Sequence, residues 1–429
     1  MRFLYIFLSY LLAPLMVLAM LWRGVRDRSY LHGMGQRFGF GKPVANGPSI
    51  WVHAVSVGEV QAASVLIREL LTMYPAIPLV LTTVTPTGAE HARRLFGASV
   101  DVRFVPYDLV GPVRRFFRAI NPRVAVILET ELWPNLYHEC GRRRVPLVLA
   151  SARISPKSVG RYRVLAGLFR ETLSHGIVIA AQSAQDAERF RSIGANTSRT
   201  HVTGNIKFDL SVSEDIRADA RLLRQRYVGS RPAWVAGSTH AGEEQILLAA
   251  QRRLRTTVPD ALLIMVPRHP NRFAEVAAWM QREQVRYATR SSGASVAADT
   301  EVLLVDTLGE LQAFYGAADV AFVGGSLVPI GGHNLLEPAA LGVPVLTGPN
   351  NYNAEDIAGQ MIASDAARVV HDAGELRNEL ARLLTDHKQR HALGQRGQAF
   401  IETNRGALAR LLALLAPVIT SAGLPPASR

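Results

Sequence analysis

The chain has 429 residues, 48% of them apolar, and carries 48 Lys and Arg against 35 Asp and Glu, a formal net charge of +13. That composition excludes a disordered or collagen-like polymer, and the length suits about two domains, each able to bury its own core. The single cysteine, Cys140, excludes an intrachain disulfide and a cysteine-built zinc site. The charge is unevenly spread: residues 22–170 hold 21 basic and 9 acidic side chains, whereas residues 171–429 hold 26 of each. Whatever anion the positive field attracts therefore meets the first part of the chain.

From the N-terminus, Phe3 to Trp22 is a 20-residue run without a charge, about 30 Å long as a helix and so able to cross the hydrocarbon layer of a bilayer. Arg23, Arg26 and Arg28 follow it and only Arg2 precedes it, which by the positive-inside bias places the rest of the chain in the cytoplasm. Three readings of residues 1–22 stand side by side. They are an anchor that spans, a helix bent at Pro14 and lying in the surface, and a cleaved signal peptide, whose small-residue site Met20-Leu21-Trp22 does not resemble. The first two tether the remainder to an anionic leaflet.

After this segment, short apolar runs alternate with turns rich in Gly, Ser or Thr and with amphipathic stretches of about 10 to 15 residues. Strands are predicted at 49–55, 78–82, 102–105, 124–128, 146–150 and 176–180, with helices between them at 60–74, 88–96, 113–120 and 135–144. Such alternation needs right-handed crossovers and gives a parallel, doubly wound sheet, the first domain, over 23–207. The polar, charge-mixed stretch 208–231, with one helical run at 213–225, reads as an interdomain linker. Strands predicted at 233–237, 262–266, 301–305, 320–323 and 343–347 build a second domain over 232–406, with a surface loop at 291–299. In the last segment, 407–429, an apolar helix at 407–419 needs a surface to cover, and the first domain offers one. Two doubly wound domains facing each other make a cleft at the carboxyl ends of both sheets.

Candidate chemistry falls in the turns. The segment His53 to Glu59 lies after a strand and before a helix, so Glu59 is either a carboxylate favoured by the helix dipole or a general base held on a rigid element. Glu129-Thr130-Glu131-Leu132-Trp133-Pro134-Asn135 ends an apolar strand, where acids are expensive unless solvated or functional. Pro134 suits the start of the next helix, and strand alternation sends Glu129 and Glu131 to opposite faces, which argues against a shared metal. In the second domain Gly237-Ser238-Thr239-His240, Pro267-Arg268-His269-Pro270, Gly324-Gly325-Ser326 and Gly331 to Pro338 are turns whose backbone N–H groups can approach a phosphate. Neither a P-loop nor a Gly-x-Gly-x-x-Gly after the first strand is present, which disfavours nucleotide-triphosphate and dehydrogenase chemistry of those types. His53, His240, His269 and His333 fall in four separate turns without metal-ligand spacing. His269, next to Arg268, is the best placed of them for a phosphate. Glu337 is either a ribose-binding carboxylate or a solvated helix acid, and Lys207 closes the first domain at the hinge.

Six motifs in one order carry a resemblance: Ser56-Val57-Gly58-Glu59, Thr85-Pro86-Thr87-Gly88, Glu129 to Asn135, Lys207-Phe208-Asp209, Pro267-Arg268-His269-Pro270, and Gly331-Gly332-His333-Asn334 with Leu336-Glu337-Pro338. Together they resemble the 3-deoxy-D-manno-octulosonic acid (Kdo) transferases of lipopolysaccharide synthesis, glycosyltransferase family 30. One departure is Leu335, where that family often has proline. The resemblance implies an α/β protein of GT-B fold, with two doubly wound Rossmann-like domains facing across a cleft and an N-terminal membrane-anchor helix. The basic first domain would bind the acceptor and the second the nucleotide-sugar donor. It implies an inverting enzyme that moves Kdo from CMP-Kdo to the lipid A precursor, lipid IVA, at the anionic cytoplasmic leaflet of the inner membrane.

By the same resemblance Glu59 is the catalytic base, Glu129 and Lys207 stabilise the transition state, and Arg268, His269, Leu308, Gly309, Glu310, Asn334, Leu335, Leu336 and Glu337 contact the CMP of the donor. A donor with one phosphate charge can be balanced by Lys207, Arg268 and helix N-termini, so no metal or other cofactor is expected. Nucleic acid is the least expected partner. Two other enzymes share the architecture: a membrane-associated GT-B transferase using a uridine diphosphate sugar, and a nucleotide-sugar epimerase, which needs neither anchor nor basic acceptor face.

Overall fold

A computed structural model describes residues 1–424 apart from 46, 156, 157, 161, 163–165, 174, 175 and 211. Two units emerge: Met1–Asp209 together with the segment from Asn404, and Leu210–Thr403.

The first unit opens with α1 (Arg2–Arg26) and then alternates β1 (Ser49–His53), α2 (Val57–Met73), β2 (Leu79–Thr83), α3 (Pro86–Phe96), β3 (Asp101–Phe104), α4 (Val110–Ile120), β4 (Pro122–Leu128), α5 (Pro134–Arg143), β5 (Leu147–Ala152), β6 (Val178–Ala181) and β7 (Thr200–Val202). Helix starts follow local chemistry. Proline stands in the first turn of α3 and α5, where its missing N–H costs nothing, and Thr85 Oγ1 caps α3 by accepting from Gly88 N at 3.1 Å. The strands pair in parallel in the order β3-β2-β1-β4-β5-β6-β7. β1, β2 and β5 are buried end to end, as strands covered on both faces must be.

Alternation divides the strand side chains between two cores. Ile50, Val52, Val124, Val126 and Leu128 meet Val60, Ala63, Leu66 and Ile67 of α2 on one face. On the other, Trp51, Ala125 and Ile127 meet Phe116 and Phe117 of α4 and Leu136 and Tyr137 of α5.

The second unit begins earlier than its first strand. The stretch expected as a linker with one helical run carries that helix as part of the second unit: α6 (Glu214–Leu223) runs on through a wider turn to Val228 and buries Ala220, Leu223, Tyr227 and Val228. It packs on α8 (Leu311–Ala317). There a side chain on Gly316 would sit 2.9 Å from Ala220 Cβ, and Arg224 Nη1 donates to Ala317 O at 2.8 Å. Ala220, Leu223 and Tyr227 follow one another three and four residues apart, the spacing of one helix face, amid charged neighbours.

The sheet is built from β8 (Ala233–Thr239), β9 (Leu262–Pro267), β10 (Tyr287–Thr289), β11 (Val302–Leu304), β12 (Val320–Val323), β13 (Val345–Thr347) and β14 (Arg368–Val369). Its strands pair in parallel in the order β10-β11-β9-β8-β12-β13-β14. Two further helices matter for the site, α7 (Glu243–Leu254) and the five-residue α9 (Leu336–Ala340). Residues 291–299 are a loop, as expected.

The last helix, α10 (Ala407–Ser421), belongs to the first unit. Its Ala407, Leu411, Leu415 and Ile419 are fully buried in the core beneath α2, each leucine or isoleucine worth about 1.5–3 kcal/mol. Asp209 holds its start: Oδ1 accepts from Gly406 N and Oδ2 from Leu408 N, both at 2.8 Å.

Candidate active site

Strand order reverses direction between β1 and β4 in the first sheet and between β8 and β12 in the middle of the second. Loops leaving the carboxyl ends of such strands diverge and leave a crevice. Most of the candidate residues stand in these places.

In the first unit, Ser56-Val57-Gly58-Glu59 has the spacing of a capping box. Ser56 makes no side-chain cap, however, and Glu59 Oε2 instead accepts from Val55 N at 2.8 Å. The Glu59 carboxyl is pushed up to about 7, first by burial and then by the charge of Glu129, with Glu131 adding; the Val55 hydrogen bond and Lys207 act the other way. Near neutral pH it divides between both protonation states, the condition that suits a general base.

Glu129 lies outside the sheet. β4 stops at Leu128, and Glu129 takes a left-handed backbone with φ 57°, a conformation that costs a non-glycine residue about 1 kcal/mol or more. The expected opposite-face placement of Glu129 and Glu131 fails for that reason: strand alternation ends before either residue, and both carboxylates act on Glu59. Glu129 Oε1 accepts from Lys207 Nζ at 2.6 Å. Lys207 sits on a tight turn, Ile206–Asp209, fixed by Lys207 N donating to Asn205 Oδ1 and Ile206 N donating to Ser151 Oγ, each at 3.0 Å. Glu59, Ala62, Leu128, Glu129, Ser151, Asn205, Ile206 and Lys207 line one depression. Thus the three predicted catalytic side chains, 148 residues apart at the extremes of the sequence, share one site.

Glu131 has a different task. Its Oε2 accepts from Trp133 Nε1 at 2.6 Å and its backbone O from the Tyr137 hydroxyl at 2.8 Å, and burial raises its carboxyl above the ordinary range. His53 lies on β1 rather than in a turn. It is buried, with Nδ1 2.8 Å from Thr82 Oγ1, and burial lowers it to about 4, so it is neutral.

In the second unit three of the four separate histidines come together. His240 and His333 stack with centroids 5.1 Å apart and their Nε2 atoms at 2.8 Å, and His269 meets His240 edge-on at 5.3 Å. Burial, reinforced by neighbouring cationic groups including Arg268, lowers His240 to about 4 and His333 to about 3. Arg268 and His269 are exposed after β9. Asn334 Nδ2 donates to Glu337 Oε1 at 3.1 Å, and burial raises the Glu337 carboxyl while Asn334 and Arg268 counter it.

Leu335 and Leu336 are core side chains, so they can meet a ligand only through their backbone. Leu308 is exposed, Gly309 is left-handed at φ 86°, and the Glu310 carboxylate is taken by Arg290 at 2.8 Å and by the Thr307 hydroxyl.

The Gly324-Gly325-Ser326 turn corrects another expectation. Its amides do not wait for a phosphate: Gly325 N, Ser326 N and Leu327 N donate to the buried Glu243 carboxylate at 2.8, 3.1 and 3.0 Å. The sequence signal for Glu243 was Gly242-Glu243-Glu244 directly after a strand. Those acids read as surface charge until their burial is known.

Comparison with known proteins now gives these arrangements a class and a family. The fold is GT-B-like: the crystal structure of UDP-GlcNAc 2-epimerase from Neisseria meningitidis bound to UDP-GlcNAc aligns at a TM-score of 0.56 over 87% of this chain and 100% of that one. At 10% identity this is likeness of fold alone. A family model described as 3-deoxy-D-manno-octulosonic-acid transferase (kdotransferase) matches residues 32–210. The 3-deoxy-D-manno-octulosonic acid transferase of Haemophilus influenzae is 38% identical over 97% of this chain and 99% of its own, and that of Bordetella pertussis 37% identical over 94% and 95%. The chain belongs to the 3-deoxy-D-manno-octulosonic acid transferase family. It is a glycosyltransferase, and the epimerase reading is set aside.

Proposed function

We propose that the protein transfers Kdo from CMP-Kdo to the lipid A precursor lipid IVA with inversion at the anomeric carbon, and that it does so at the cytoplasmic face of the inner membrane. The observation that carries the reading is the first-unit constellation, with Glu59 held near neutral titration beside the Glu129–Lys207 pair at 2.6 Å.

In this mechanism Glu59 takes the proton of the acceptor hydroxyl as its oxygen bonds to the anomeric carbon. The bond from that carbon to the phosphate oxygen breaks on the opposite face, and CMP leaves with the electron pair. The Lys207 ammonium and the Glu129 carboxylate stabilise the charge that develops. The second unit holds the nucleotide. Arg268 and His269 meet the phosphate, Glu337 accepts from the ribose, and the backbone at Leu308-Gly309-Glu310 and Asn334-Leu335-Leu336 completes the pocket. A donor phosphate of one negative charge is balanced by these cations without a divalent metal. The basic surface of 22–170 meets the anionic lipid acceptor and leaflet.

The test is incubation of the purified full chain with labelled CMP-Kdo and a tetraacylated lipid A precursor. Label is expected in the lipid fraction; its absence there, with transfer from a uridine diphosphate sugar instead, overturns the reading. A chelator is expected to leave the rate unchanged, and a strict magnesium requirement defeats the metal-free mechanism.

A further inference from the structure

Among the described residues one helix is long and apolar enough to cross a membrane, Arg2–Val25, within α1. The folded unit nevertheless grips that helix along its length. Tyr5 donates its hydroxyl proton to Asp108 Oδ2 at 2.7 Å, Tyr10 OH accepts from Gly111 N at 3.2 Å, and the Tyr107 hydroxyl donates to Met20 Sδ at 2.7 Å. From Tyr5 to Met20 is about 22 Å of helix axis. Asp108 is itself buried and also accepts from Asn135 N and Leu136 N at 3.0 and 2.8 Å, so α1 is bolted to the start of α5. At the other end a side chain on Gly24 would run into Leu31.

One stripe, including Tyr5, Ala13, Val17, Met20 and Gly24, is half-buried or buried. The opposite side, Phe3, Phe7, Leu11, Leu15, Leu18 and Trp22, is 58–87% exposed. Cations mark both ends of this apolar face. Arg2 lies within electrostatic reach of Arg114. Arg114, Arg142 and Arg143 share the single buried carboxylate of Glu139 at 3.9, 2.6 and 2.6 Å, leaving an excess of positive charge. Arg23 and Arg28 are exposed at the far end.

A helix crossing the bilayer separates its ends by the hydrocarbon thickness, and here it would drag Asp108, Arg114 and the segments that carry them in with it, at a cost of several kcal/mol for each unpaired charge or backbone group.

We propose that α1 lies in the plane of the membrane rather than across it. It stays docked on the first unit, its outward face enters the acyl layer of an anionic leaflet, and the arginines at both ends sit at headgroup level. This goes beyond the proposed function, which requires only that the protein be tethered.

The test places a nitroxide on single cysteines introduced by Leu4→Cys, Leu11→Cys and Leu18→Cys, all exposed and seven residues apart on one face. The full chain, whose native Cys140 is buried, is bound to vesicles of phosphatidylethanolamine and phosphatidylglycerol. In-plane α1 puts the three labels at one depth within about 5 Å; steps of about 10 Å from label to label, or labels left in water, overturn the proposal. Replacing phosphatidylglycerol by phosphatidylcholine is expected to weaken binding at least tenfold, and indifference to that change refutes the anionic leaflet as the partner. Lipid depth is read without turnover, so failure of Kdo transfer and failure of this proposal are told apart.

Discussion

Glu59 and Glu243 occupy the same place in two units of one design: each stands in the first helical turn after the first strand of its sheet. Glu243 is fully buried and accepts from three backbone amides, which hold the Gly324-Gly325-Ser326 turn in shape. Glu59 accepts from Val55 N and faces the like charges of Glu129 and Glu131. One topological position thus meets backbone N–H donors in one unit and like-charged carboxylates in the other. Position alone does not make a base; the neighbours decide.

The sharpest way to break this contrast is to neutralise Glu59. Glu59→Gln is expected to lower Kdo transfer by about 10²–10⁴-fold while CMP-Kdo still binds, as measured by lipid-linked label and by calorimetric titration of the donor. Near-normal turnover would make Glu59 as architectural as its counterpart.

Glu243→Ala removes the acceptor of three amides and should cost about 3 kcal/mol or more, seen as a drop of roughly 6–12 °C in the melting of the second unit. A loss within 1 °C would mean that the turn holds itself.

The pH dependence of stability sharpens the comparison further. Glu59 titrates near 7 when folded, against an ordinary value of 4.5, so the folded chain binds the proton more tightly than the unfolded one. Stability from this group is present below about pH 4.5 and is lost as pH rises through about 7. Glu59→Gln should therefore stabilise by about 2 kcal/mol at pH 8 and far less at pH 5, as read from denaturant midpoints at the two pH values. Equal effects at both would remove the raised carboxyl from the account.

The smallest effect concerns a carboxylate that only ties. Asp209→Ala frees Gly406 N and Leu408 N and should cost about 1 kcal/mol, with faster amide exchange confined to α10 and its neighbours.

Much of this was legible in the chain. Continuous apolar runs such as Val124–Leu128 mark strands buried on both faces, and proline at 86 and 134 marks helix starts. The edge strands β7, β10 and β14 were not legible, because pairs or triplets such as Tyr287–Thr289 are too short for a period-two pattern to declare itself. The helix α6 was legible as the helical run at 213–225, but its membership of the second unit was not, because its apolar contacts are diluted by charge.

At the site, sequence motifs picked out Glu59, Glu129 and Lys207, but their meeting depends on a backbone reversal at Glu129 that no local pattern announces. His240, His269 and His333 looked unrelated because each leaves a different strand, and only sheet order brings them together.

The return of α10 to the first unit makes the second unit, in chain terms, an insertion: it enters at Leu210, leaves at Thr403, and has Asp209 fastened to Gly406 across its two ends. During synthesis the second unit's whole sequence emerges before the first unit's core can be filled by Leu411, Leu415 and Ile419. The part that carries the proposed base, though translated first, is thus completed last, and a ribosome that stops short of α10 leaves behind the whole second unit and a first unit whose core beneath α2 lacks Leu411, Leu415 and Ile419.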